Sequence, residues 1–137
     1  MHNPYSYIEA EVEKVANETA NIKTFTLRPR GAISFRAGQF MEVSLPGIGE
    51  APFTPSSNHD TRDSLEFTIM SAGRVTKLIH QAKPGDVFGL RGPYGTAYPL
   101  NDFKSKEIFI VGGGVGLAPL RALLYALFND VQNYKRI

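Results

Sequence analysis

The sequence predicts a mainly β fold with one capping helix, followed by the opening strand, turn and helix of an α/β unit. Three observations carry this. Short runs with two-residue alternation are separated by turn-rich segments, one stretch repeats its apolar residues at helical spacing, and a continuous apolar run near the end leads through a glycine-rich turn into a second helix. With 137 residues the chain can bury one full core and has little left for a second.

The first strand spans residues 7–15, where Ile8, Ala10 and Val12 alternate with Glu9, Glu11 and Glu13. One face is wet. Further strands are expected at residues 22–27, 40–45, 65–70 and 87–91, divided by RPRGA, LPGIGEAP, SNHDTRD and KPGD. Many short strands with polar turns indicate an all-β barrel or sandwich. After SAG, residues Val75, Leu78, Ile79 and Ala82 recur at helical spacing, and the run stops at Lys83-Pro84-Gly85-Asp86. This is the capping helix.

The strand series ends near NDFKSKE, which divides the chain into a barrel over residues 1–100, a linker over 101–106 and an incomplete nucleotide-binding unit over 107–137. In that unit Ile108, Phe109, Ile110 and Val111 form an apolar run, as a parallel strand buried on both faces would. Gly112, Gly113, Gly114 and Gly116 follow, and Pro119 suits the first turn of the next helix. From there Leu120, Leu123, Leu124, Leu127 and Phe128 form one apolar stripe. Leu117 occupies the last glycine position of a strict GxGxxG, so the stretch reads either as a diphosphate cradle or as an ordinary strand-to-helix turn. One strand and one helix cannot cover their own apolar faces, so self-association or a completing chain through residues 107–137 is expected.

Composition narrows the partners. Lys and Arg number 15 against 13 Asp and Glu with no basic run, which argues against nucleic acid. There is no cysteine, so a disulfide or a cysteine-held iron-sulfur cluster cannot belong to this chain. His2, His59 and His80 lack ligand spacing, and no metal site is expected. No run approaches the roughly 18 apolar residues of a membrane span and the N-terminus lacks a signal pattern, so a cytoplasmic protein without membrane insertion is expected.

Candidate binding residues come from three more segments. FRAGQF reads as a loop entering a strand. In SAGRVT the helix start offers backbone donors, Arg74 and the Thr76 hydroxyl, which suit a phosphate, although Thr76 can equally cap the helix. In APFTPSS, Pro52 and Pro55 remove backbone donors, so the segment is a shaped edge presenting Phe53 and Thr54 and not a regular central strand. Tyr94, in RGPYG, is a turn aromatic or a ring flanking a ligand.

The order AGQF, APFTPSS, GRVT before a helix, KPGD, RGPYG and GGGVGLAP resembles the ferredoxin-NADP reductase superfamily. Within it, LPGIGEAPFTPSS is most similar to the branch of hydrogenase and sulfhydrogenase gamma subunits, the B-type subunits of anaerobic sulfite reductase and the dihydroorotate dehydrogenase electron-transfer subunit. The resemblance implies a Greek-key antiparallel flavin-binding barrel, whole here, followed by the start of a nucleotide domain. It implies FAD or FMN, NAD(P)H, and an iron-sulfur or hydrogenase-type subunit as electron acceptor. In the family motif Arg-x-Tyr-Ser/Thr, Phe53 and Thr54 match the aromatic and hydroxyl positions, while Ala51 replaces the arginine and removes a flavin-phosphate contact that Arg74 is placed to supply. The resemblance assigns the flavin to Pro52, Phe53, Thr54, Ser57, Met70, Gly73, Arg74, Val75 and Thr76, and the nicotinamide nucleotide to Gly112, Gly113, Gly114, Gly116 and Pro119. Thr54 is the residue expected at the reacting edge. Ala51 and the short nucleotide unit also admit a non-catalytic docking module that keeps the barrel.

Overall fold

The computed structural model describes residues 5–137. Six antiparallel strands form one sheet: β1 (Ile8–Asn17), β2 (Ile22–Pro29), β3 (Phe40–Leu45), β4 (Gly49–Phe53), β5 (Leu65–Met70) and β6 (Val87–Tyr94), in the spatial order β4-β3-β6-β1-β2-β5. Only β1–β2 and β3–β4 are simple hairpins, and the other connections cross between non-adjacent strands, as a Greek key requires. The sheet curls until its two edges meet. Beyond β4 the Ser56 N–H donates to the Glu66 carbonyl on β5 at 2.7 Å, and the Ser57 hydroxyl accepts from the Glu66 N–H at 3.1 Å.

Alternation decides which face fills the barrel. On β1, Ala10 and Val12 are fully buried, and Phe25, Leu27, Leu65, Phe67, Ile69, Phe88 and Leu90 meet them inside. The outer faces of β2 and β5 carry Thr24, Thr26, Glu66 and Thr68 in register. Helix α1 (Arg74–Ile79) plugs the core with Ile79, and Lys83 N–H to Asp86 carboxylate at 2.8 Å closes the turn after it.

β4 lay hidden inside what reads as a turn. LPGIGE forms the β3–β4 hairpin, with Gly47 at φ 77° and Gly49 at φ 143°, and Pro52 sits opposite Glu42. The strand tolerates proline because it is the last of the ladder, on the edge that the paired prolines imply.

The second part departs further from expectation. The helical turn α2 (Leu100–Phe103) straddles the expected boundary between barrel and linker at residues 100 and 101. Residues 108–111 form no ladder: a single parallel bridge joins Glu107 to Arg136, and Ile108 N–H donates to the Arg136 carbonyl at 2.8 Å. Phe109 is 91% exposed and Val111 75%, so this strand is not buried on both faces. Among the described residues its cover is one helix and residues 133–137, whose backbone meets residues 105–108. That helix, α3 (Leu117–Asn129), also turns differently. Its buried side chains are Ala118, Ala122, Leu123, Ala126 and Leu127, while Leu120 and Leu124 are half-buried and Phe128 is exposed. Arg121 reaches Glu66 on β5, and Leu124 and Phe128 line a cavity with Ile108, Phe109 and Ile110.

Candidate functional site

Two adjoining clefts open where α3 meets the barrel. The first, about 380 Å³, is walled on one side by Pro52, Phe53 and Thr54 from β4 and by Thr68, Ile69 and Met70 from β5. Ala72 and Thr76 at the start of α1 form its floor, and Val115, Gly116, Ala118 and Pro119 face them from the glycine turn. The second, about 400 Å³, holds Glu18, Thr19, Ile22, Thr24, Gly114, Leu117 and Arg121, and shares Thr68, Val115 and Ala118 with the first. Both lie within the size range of small-ligand sites.

Of the residues singled out in the sequence, Pro52, Phe53, Thr54, Met70, Thr76, Gly116 and Pro119 line the first cleft and Gly114 the second, while Gly112 and Gly113 line neither. Phe53 and Thr54 end an edge strand whose prolines leave side chains free of a ladder on one side. Met70 ends β5 and is 38% exposed. Thr76 is committed locally, its hydroxyl accepting the Ala72 and Gly73 N–H groups at 2.9 Å each and donating to the Gly73 carbonyl at 3.1 Å. It caps α1 from inside the helix. Gly73 and Arg74 are exposed at that helix start, outside the cleft wall, and the partly buried Val75 packs against the core.

Ser57 is not brought to the cleft. It is 5% exposed and its hydroxyl serves the barrel seam, because the chain must close against Glu66 there. Tyr94 also lies apart, its ring 5.8 Å from that of Phe40 and its hydroxyl accepting from Arg91 at 3.3 Å. Thr68, Ile69, Ala72, Val115 and Ala118 line the cleft without having been expected there. Thr68 was findable, because two-residue alternation places it on the same face as Met70.

The glycines sort by their reasons. Gly114 has φ 56°, which only glycine takes without strain, and a Cβ on Gly112 would lie 3.0 Å from Leu120 Cδ1. Gly113 and Gly116 have ordinary backbone angles, φ −128° and −61°, and a Cβ on either would meet nothing within 4 Å. The same holds for Gly73, at φ −120°. Neither backbone nor packing demands glycine at these three positions.

A chain of hydroxyls runs between the clefts and the seam. Thr24 donates to the Glu18 carboxylate at 2.7 Å, Thr24 and Thr68 lie 2.9 Å apart, Thr68 and Ser56 lie 2.9 Å apart, and Ser56 reaches the Glu66 carbonyl at 3.2 Å. Above it, Arg121 of α3 donates to Glu66 at 3.3 Å and to the Tyr125 hydroxyl at 3.1 Å. Burial works against the Arg121 charge, but Tyr125, Glu66 and Glu18 outweigh it and hold the guanidinium above its ordinary pKa.

His80 Nε2 lies 2.8 Å from the Ile69 carbonyl, and His59 Nε2 lies 3.4 Å from Asp60. His2 is outside the described residues. Among these residues no three His, Cys, Asp or Glu side chains gather as metal ligands, and no helix is long and apolar enough to cross a membrane.

Comparison with known proteins agrees with this architecture. Over 133 residues the chain is 38% identical to sulfhydrogenase 1 subunit gamma of Pyrococcus furiosus, covering 93% of this chain and 46% of that one. A probable dihydroorotate dehydrogenase B (NAD(+)) electron transfer subunit of Methanocaldococcus jannaschii is 36% identical over 110 residues, covering 80% and 38%. Among solved structures, the ferredoxin reductase in carbazole 1,9a-dioxygenase superposes with a TM-score of 0.77 at 29% identity, covering 99% of this chain and 42% of that one. The chain spans less than half the length of each. A family model described as the oxidoreductase FAD-binding domain matches residues 9–98, and the chain belongs to that family of ferredoxin reductase-type flavoproteins.

Proposed function

We propose that this chain is the flavin-binding part of a reductase that passes electrons from NAD(P)H to an iron-sulfur partner. The observation that carries it is the cleft between Phe53–Thr54 and Gly116–Pro119, together with open space at Gly73, Gly113 and Gly116 that leaves a ligand room to approach the backbone. A bound FAD would supply the exchange between two-electron hydride chemistry and single-electron delivery. The protein's own part is positional. Phe53 offers an aromatic face to a planar ring, Thr54 a hydroxyl to orient its reactive edge, and the glycine turn a backbone that a dinucleotide can approach closely. Gly73, Arg74 and Val75 stand at the α1 start, with Arg74 as the cation for a flavin phosphate in place of the side chain that Ala51 lacks. Gly112 and Gly114 shape the turn, and Ser57 supports the cleft from the seam.

The relatives support the electron path by what they are: a sulfhydrogenase gamma subunit, an electron transfer subunit and a ferredoxin reductase. We divide the chain into a flavin barrel over residues 1–100, a linker over 101–106 and a nucleotide unit over 107–137. Phe109 and Phe128 line a third cavity of about 620 Å³, and with Val111 they form an exposed apolar face. That face is where a completing chain or a second copy would pack. Ala51 favours one other reading, a docking module that keeps the barrel without turnover. The absorption spectrum of the purified chain mixed with FAD separates them. Bound-flavin bands that shift and bleach on adding reduced nicotinamide are expected, and a chain that remains colourless after desalting refutes the reductase reading.

A further inference from the structure

Helix α3 is seated differently at its two ends. Nearest the glycine turn its buried residues are the small Ala118 and Ala122, 6% and 0% exposed, whereas Leu123 and Leu127 join the core further along. Small side chains give contact but little interlock, so at the end nearest the glycine turn directional bonds must help set the position of the helix. Two ties cross from α3 to the barrel: Arg121 to Glu66 at 3.3 Å, one helical turn beyond the glycine turn, and Asn129 to Asp60 at 3.0 Å at the far end. Arg121 is further fixed by the Tyr125 hydroxyl at 3.1 Å, with its guanidinium carbon 5.9 Å from the Tyr125 ring centre.

The position of α3 matters because both clefts use it as a wall. Val115 and Ala118 line each cleft, and Gly116 and Pro119 stand across the first one from Phe53 and Thr54. Shifting the near end of α3 alters the gap between those walls while Leu123 and Leu127 stay seated in the core. We propose that Arg121 is a positioning residue: by pairing with Glu66 it sets the width of the cleft between Phe53–Thr54 and the glycine turn, and so the alignment of a nicotinamide ring with a flavin ring. This deepens the reductase reading and rests on it for the identity of the rings. The positioning of α3 itself does not depend on that reading.

The test uses the full chain and the variants R121A, R121K, E66Q and the charge-swapped pair R121E/E66R. Two readings are taken on each: hydrogen exchange of the amides of residues 112–118 without ligand, and the dissociation constant and visible spectrum of added FAD. Both ends of the ion pair are one-third exposed, so a single loss is expected to change each reading by about fivefold, the effect of roughly 1 kcal/mol. The thermal midpoint is expected to move little. R121K is expected to fall between, keeping the charge but losing the fork, and the swapped pair to restore both exchange and spectrum. Unchanged exchange at residues 112–118 in R121A and E66Q overturns the proposal, and so does a swapped pair no better than either single variant. If the wild-type chain takes up no FAD, the reductase reading fails and the exchange arm still decides the role of Arg121.

Discussion

Phe67 and Phe109 are the same residue in similarly apolar runs, LEFTIM and EIFIV, yet one is fully buried and the other 91% exposed. Phe67 lies on β5, paired with β2 and buried among the inner side chains of the barrel, whereas the residues around Phe109 have one flanking helix and the backbone of residues 133–137. An apolar pattern states what a segment must bury. It does not state who supplies the cover, and for a parallel strand nearly all of the cover comes from other segments.

Truncation breaks this contrast most directly. Phe67→Ala is expected to destabilise the chain by about 3–5 kcal/mol, as a large ring removed from a packed core does, while Phe109→Ala shifts stability by no more than about 0.5 kcal/mol. Denaturant unfolding of the two variants measures the difference, and equal losses would mean that residues 108–111 are covered in solution. Deleting residues 107–137 is expected to leave a folded barrel, because the face it uncovers carries Thr24, Thr26, Glu66 and Thr68. The deleted chain should elute as a monomer from size exclusion, whereas the full chain should elute larger. Loss of the β signal in circular dichroism would instead show that α3 is essential to the barrel.

At the boundary between the two regions the effect should be smaller and confined to binding. Phe53→Ala is expected to weaken FAD by roughly 1 kcal/mol through a lost stacking face, with thermal stability nearly unchanged, as titration by flavin fluorescence would show. The smallest effect lies on the barrel's own outer surface. Burial, and then the neighbouring Glu50, raise the pKa of Glu42, and Arg91 only partly opposes them. The folded state therefore holds this proton more tightly than the unfolded chain does. Stability from this group is present at low pH and lost as pH rises past the ordinary glutamate range. Glu42→Gln is expected to flatten that slope in pH-dependent melting, and an unaltered slope would assign it to other groups.

How much the sequence reveals follows the same division. The alternation in IEAEV, the helical spacing in RVTKLI and the paired prolines of APFTP are local signals, and they place β1, α1 and the edge that carries Phe53 and Thr54. β4 was obscured because glycine and proline are turn residues and hairpin residues at once. Ser57 was drawn toward the cleft by its neighbours Phe53 and Thr54, yet the closing of the barrel claims its hydroxyl. The buried face of α3 was legible only in part: Leu123 and Leu127 are buried as the apolar stripe implies, but Ala118, Ala122 and Ala126 complete that face in place of Leu120, Leu124 and Phe128. Arg121 and Glu66 are 55 positions apart, and no spacing rule joins them.

The hydroxyl chain from Glu18 to Ser56 can be read in two directions. In one polarity Thr24 donates to the Glu18 carboxylate, Thr68 donates to Thr24 and Ser56 donates to Thr68. If a donor entering the cleft bonds to the Thr24 oxygen, each hydroxyl can rotate and donate the other way, ending with Ser56 on the Glu66 carbonyl at 3.2 Å. Every member keeps a partner in both polarities. A donor can thus arrive at the mouth of one cleft without orphaning a buried group beneath it, and the dipoles of three hydroxyls reverse together beside the wall shared by both clefts.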